Sequence, residues 1–156
     1  MISLAIANNT AFEALRLMDT PELRQQLDVI LTRYKLEAHR DSTVSALAQG
    51  VRKLLDIAMA VVSKPRILLL DEPTSGISVE EKFDFMDIVM DALKEDGVTV
   101  LFVEHDMEIV ERYVSRVLAF YQGEIIADMP PKKALADKKV QEFVIGKEHH
   151  NKRNRT

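Results

Sequence analysis

The 156-residue chain has no cysteine and no tryptophan, and only five glycines and five prolines. Without cysteine there is no disulfide framework and no thiolate metal site, and a reducing cytosolic setting is expected. Its four histidines, of which His149 and His150 are adjacent, do not have metal-ligand spacing. No aliphatic run approaches the roughly 20 residues of a bilayer-spanning helix; Ile67 to Leu70 is among the longest. The opening MISLAIANNTAFEAL has no basic residue before Arg16 and so lacks the charged start of a secretory signal. A basic excess is missing too: 21 basic against 25 acidic residues, a net charge of -4, gives no electrostatic reason to expect nucleic acid as a partner.

What is present is a hydrophobic share of 47%, which suits one α/β domain long enough to bury a core. Leu23, Leu27, Ile30, Leu31 and Tyr34 recur at helical spacing, with Thr20 placed to cap and Pro21 suited to a first turn, predicting a helix over 21–34. A second helix is expected after Gly50, with Val51, Leu54, Leu55, Ala58, Val61 and Val62 inward, ending before Lys64-Pro65. The run ILLL, bounded by Pro65 and Asp71, reads as a strand covered on both faces. Ser78-Val79-Glu80-Glu81 matches a capping box, and the helix after it is expected to turn Phe83, Met86, Val89, Met90 and Leu93 inward until Gly97. VTVLFV then reads as a second buried strand, completing a βαβ unit whose strands end on one edge, with Asp71, Glu72 and His105 there. A short helix from Met107, a hairpin of 117–121 and 124–127 turned at Gln122-Gly123, and a small helical end after Pro130-Pro131 follow. The polar, basic KEHHNKRNRT is expected to be disordered.

A rigid apolar strand ending in Asp-Glu is what a Walker B site needs, presenting one carboxylate to magnesium and the next to an attacking water. The plainer account is a strand leaving the core for solvent. The residues LAQGVRKLLDIAMAVVSKPRILLLDEPTSGIS, followed by VLFVEHD, resemble the signature, Walker B, D-loop and H-loop succession of ABC ATPases. EHDM at 104–107 and the ending ALADKKVQEFVIG look most like the ATP-binding subunits of branched-chain amino-acid importers, with the urea importers close beside them.

That resemblance implies the C-terminal part of a P-loop NTPase fold, an α/β class with parallel strands preceded by a helical subdomain. The expected divisions are 1–63 for the helical subdomain, 64–146 for the ATPase core and 147–156 for the tail. It implies ATP and Mg2+ as cofactors, with Asp71 holding magnesium through water, Glu72 as general base or water-polarising group, and His105 against the γ-phosphate. Ser75, Gly76, Ile77 and Ser78 correspond to the D-loop that crosses the dimer interface, although Ser78 also serves as a helix cap. Leu47, Ala48, Gln49, Gly50 and Val51 correspond to the signature that meets ATP on a partner subunit. A second ABC ATPase subunit, in a homo- or heterodimer, and a membrane permease are the implied partners, placing the chain on the cytoplasmic face of the membrane. An isolated histidine after a strand is more often structural than catalytic; His39, His149 and His150 stay in that class, and only position sets His105 apart.

The chain departs from the family pattern in two places. The signature reads Leu47-Ala48-Gln49-Gly50-Val51, so the serine hydroxyl is missing, and Leu54 and Met59 stand where the family commonly has arginine. Either the signature is weakened, or Gln49 takes over part of the contact. In addition, G-x-x-x-x-G-K-[ST] occurs nowhere, so the 156 residues hold no sequence able to cradle ATP phosphates. This is read as N-terminal incompleteness, through truncation, a split gene or a start codon placed at an internal methionine. The chain alone is therefore not expected to hydrolyse ATP. The competing expectation is a non-catalytic interaction subunit or relic that pairs with a complete ATPase. A chromosome-maintenance or DNA-repair ATPase is disfavoured, because the first 47 residues contain no sustained heptad tract.

Overall fold

The computed structural model describes residues 20–146, which form two compact units dividing between Val103 and Glu104. Residues 1–19 of the expected helical subdomain and the expected disordered tail at 147–156 lie outside the described residues.

In the first unit, α1 spans Pro21–Arg33, and the Thr20 hydroxyl accepts the Leu23 N–H at 3.2 Å, as its sequence predicts. It buries Leu23 and Leu31 and closes at Lys35, whose φ of 53° lets the Leu36 N–H reach the Leu31 carbonyl at 2.7 Å. Two 3-10 turns, Glu37–His39 and Val44–Ala46, lead to buried Leu47 and then to α2, Gln49–Val61. Its buried stripe is Leu54, Ile57, Ala58 and Val61. The periodicity is right, but Ile57 belongs to the core, whereas Val51, Leu55 and Val62 sit half-buried at its margins.

Next come β1 (Ile67–Asp71), α3 (Lys82–Glu95) and β2 (Thr99–Val103), the two strands pairing in parallel from Ile67↔Thr99 to Asp71↔Val103. Only half of the expected capping box forms: the Ser78 hydroxyl accepts the Glu81 N–H at 3.3 Å, but the Glu81 carboxylate accepts from that same hydroxyl at 2.9 Å, and α3 begins only at Lys82 with Glu81 as its N-cap. Phe85, Met86, Val89, Ala92 and Leu93 form the buried face, while Phe83 and Met90, expected there, are half-buried. Gly97, with a φ of 65°, terminates α3 as its sequence indicates, the Val98 N–H bonding the Leu93 carbonyl at 3.1 Å.

The expectation that both strands are covered on both faces is not met. Alternate residues of a strand point to opposite sides, and Leu68, Leu70, Val100 and Phe102 are buried or half-buried. On the other side Ile67 (62%), Leu69 (70%), Leu101 (53%) and Val103 (66%) are exposed, because no layer among the described residues packs over them.

In the second unit, α4 spans Met107–Tyr113 and is capped by Asp106, whose Oδ1 accepts the N–H groups of Glu108 at 3.0 Å and Ile109 at 3.4 Å. Strands β3 (Val117–Tyr121) and β4 (Glu124–Met129) form an antiparallel hairpin with left-handed Gln122 and Gly123 at its tip, and β4 runs two residues past the expected end. Two short helices, α5 (Pro131–Ala136) and α6 (Lys138–Val140), lead into a π-helical turn, Gln141–Ile145. Ala119, Ala127 and Val140 make a small core with Ile126, Met129, Val144 and Ile145, and the rings of Tyr121 and Phe143 stack 4.6 Å apart. No helix among the described residues is long and apolar enough to cross a membrane.

Candidate functional site

The turn from Leu47 to Val51, where the sequence leads one to expect a signature, lies at the start of α2. Ala48 is the N-cap and, lacking a side-chain acceptor, makes no capping bond to the first-turn N–H groups. Buried Leu47 anchors the turn, and Arg52 reaches back so that its Nε donates to the Leu47 carbonyl at 2.8 Å. The space beside Gly50 is open. A thirteen-residue helix with an open, uncapped N-terminus at Gln49, Gly50 and Val51 presents its positive dipole end to an incoming anion.

The second component is the C-terminal edge of the parallel pair. Asp71 is the last residue of β1, and Glu72 follows it; both are exposed. Glu72 has a φ of 44°, a left-handed conformation that costs a non-glycine residue about 1–2 kcal/mol and needs support from its surroundings. Its N–H bonds the Val103 carbonyl at 3.0 Å, and its own carbonyl accepts the Ser75 N–H at 3.1 Å. Pro73 and Thr74 are buried, so the chain dips into the core between Glu72 and the turn at Ser75, Gly76, Ile77 and Ser78.

These components meet in two places. Gly76 has a φ of 73°, and a Cβ added there would lie 2.8 Å from Gln49 Cδ, so Gln49 rests against Gly76. One turn further along α2, Lys53 Nζ donates to the carbonyls of Glu72 at 3.1 Å and Pro73 at 2.9 Å. Sequence reading had singled out neither Arg52 nor Lys53. The only available signal was the i, i+4 spacing that puts Gln49 and Lys53 on one face of α2.

His105 follows Glu104 at the start of the second unit, immediately before the cap of α4. Its side chain is more than half exposed, while the Glu104 side chain is buried, accepts the His105 N–H at 3.0 Å and lies 3.8 Å from Nδ1. Among the described residues, no group of three or more His, Cys, Asp or Glu side chains could hold a metal ion.

The family model described as ABC transporter matches residues 2–75. Among solved structures, an ATP-binding cassette of an ABC transporter in its ADP conformation superposes with a TM-score of 0.74 and 28% identity, covering 93% of this chain and 61% of that one. The chain carries the ABC-ATPase fold. A second ABC ATPase structure, cbiO1 from Clostridium perfringens, part of the ABC transporter complex cbiONQ, gives a TM-score of 0.70 at 29% identity over 94% of this chain and 61% of that one. Curated ABC relatives include two energy-coupling factor transporter ATP-binding proteins of Clostridium perfringens, EcfA3 at 30% and EcfA2 at 29% identity. Each match covers 90% of this chain, which spans about half the length of those relatives. These names correct the expected subfamily: the similarity lies with energy-coupling-factor ATPases, not with branched-chain amino-acid or urea importers. EHDM and the C-terminal ALADKKVQEFVIG are short segments beside a match over 141 residues.

Proposed function

We propose that this chain contributes the hydrolysis edge and the signature surface of an ATPase that energises an ABC transporter of the energy-coupling-factor kind. The observation that carries the reading is the end of β1: Asp71 and Glu72 stand exposed on a fixed strand edge, with the signature helix held against the loop that follows. An α/β sheet offers its ligand sites at the carboxyl ends of its strands.

In this reading ATP binds between two ATPase subunits. Glu72 accepts a hydrogen bond from the attacking water and takes its proton as the water's oxygen bonds to the γ-phosphorus and the bond from that phosphorus to the β-γ bridging oxygen breaks, the electron pair leaving on ADP. Asp71 would hold a magnesium ion through water, and the ion would neutralise charge developing on the phosphate oxygens. His105 donates to the γ-phosphate. The uncapped first turn of α2, at Ala48, Gln49, Gly50 and Val51, faces the partner's nucleotide, and Ser75, Gly76, Ile77 and Ser78 lie along the subunit contact. The chain would act at the cytoplasmic face of the membrane through a permease, with no nucleic-acid partner. None of its 156 residues supplies a G-x-x-x-x-G-K-[ST] loop, so the cradle for the phosphates that Glu72 serves has to come from sequence outside them.

A second reading, a non-catalytic partner of a complete ATPase, is favoured by one feature: Ala48 offers no hydroxyl to a nucleotide. The test is to capture the chain with its native assembly from membranes and to measure ATP turnover with Glu72→Gln and His105→Ala. Loss of turnover in both supports the catalytic reading; unchanged turnover in both supports the non-catalytic one.

A further inference from the structure

Glu72 carries the chemistry in the proposed function, yet its backbone occupies a conformation that a glutamate does not favour on its own. Three hydrogen bonds hold its peptide groups. Two come from nearby strand and loop backbone: its N–H to Val103, and the Ser75 N–H to its carbonyl. The third comes from another element altogether, the Lys53 ammonium on α2, which reaches both the Glu72 carbonyl and the next one, that of Pro73. A cation bonded to two successive carbonyls fixes the orientation of their two peptide groups relative to each other. Charge-assisted bonds of this kind are stronger than neutral ones.

Lys53 also follows Gln49 by one helical turn, so the two side chains leave the same face of α2. Gln49 meets the loop at Gly76 and Lys53 meets it at Glu72 and Pro73. The signature helix thus grips both ends of the segment from Walker B to the D-loop.

We propose that Lys53 is a positioning residue for Glu72: its ammonium holds the Glu72 peptide in the left-handed conformation and ties that geometry to the signature helix. A displacement of α2 by nucleotide at the signature would thereby be felt at Glu72. The inference rests on the reading of Glu72 as the water-activating group only for its effect on turnover; the backbone clamp stands independently of it.

The test uses K53M, which keeps the aliphatic stem and removes the donor, and K53R, which restores a cation. Lys53 is partly exposed, and unchanged amide exchange along α3 verifies that K53M is folded. In hydrogen–deuterium exchange on the full chain, K53M should make the Ser75 amide exchange about tenfold faster, the scale of one charge-assisted bond, and K53R should return most of the protection. In the captured assembly, K53M should lower kcat for ATP about tenfold with KM within about twofold, again rescued by K53R. Unchanged exchange at Ser75 in K53M would overturn the clamp. Faster exchange with unchanged kcat, in an assembly where E72Q abolishes turnover, would overturn its role in catalysis. Turnover that survives E72Q would instead sink the assignment of Glu72 and leave the exchange result to decide the clamp.

Discussion

Gln49, in the first turn of α2, and Gly76, in the turn after β1, are in contact, and the contact depends on glycine at 76 because its φ of 73° suits no larger residue well. Gly76→Ala would place a methyl against the Gln49 carboxamide and add the left-handed penalty. The flexible Gln49 side chain can yield, so the backbone term dominates, and a loss of about 1–2 kcal/mol is expected in urea unfolding. An unchanged midpoint would mean that the turn has another low-energy arrangement.

Tyr34 supplies a prediction about pH. Its hydroxyl is buried without a hydrogen-bond partner, and its pKa is pushed up to about 12, chiefly by burial and then by the negative charge of Asp96. A folded-state pKa above the unfolded value near 10 means that the stabilising difference is complete below pH 10 and is lost as pH rises toward 12. Tyr34→Phe should flatten this alkaline loss and, by removing an unsatisfied buried group, raise stability at pH 7 by about 1 kcal/mol. Thermal unfolding of both proteins from pH 7 to pH 11 checks it; parallel curves would show that the hydroxyl is satisfied in solution.

The uncapped start of α2 gives a third. Ala48→Ser introduces an acceptor for the first-turn N–H groups, worth about 1 kcal/mol as an N-cap, together with the hydroxyl that the family pattern places toward nucleotide. Combined with Val51→Gln, it should stabilise the chain and raise ATP turnover in an assembly with a competent partner. Stabilisation without faster turnover would show that the existing signature is adequate.

Removing the cap of α1 is a simpler test of local structure. Thr20→Ala deletes the acceptor for the Leu23 N–H, and a loss of about 1 kcal/mol is expected in chemical denaturation. A neutral result would show that water caps the helix equally well.

The helices were legible because period and punctuation agree: Thr20, Pro21 and Gly97 each do in the structure what their chemistry dictates. The strand positions were legible too, but not their covering, since a run such as ILLL does not reveal which of its two faces is packed. The exposed Leu69 beside buried Leu68 is a property of the layers around a strand rather than of the strand. Lys53 escaped notice for a related reason. A lysine on a helix reads as a solvated charge, and only the fold brings it to carbonyls 19 and 20 residues away. Glu72 and His105 stood out through their places after apolar strands, where the type of residue and the end of the element coincide.

The most direct test of the central claim is ATP turnover by the captured native assembly carrying Glu72→Gln. The expected result is a fall of at least about 100-fold in kcat with nucleotide binding retained, because the substitution removes the proton acceptor while keeping the shape of the side chain. Turnover near the parent rate would contradict the account and remove Glu72 from the hydrolysis step.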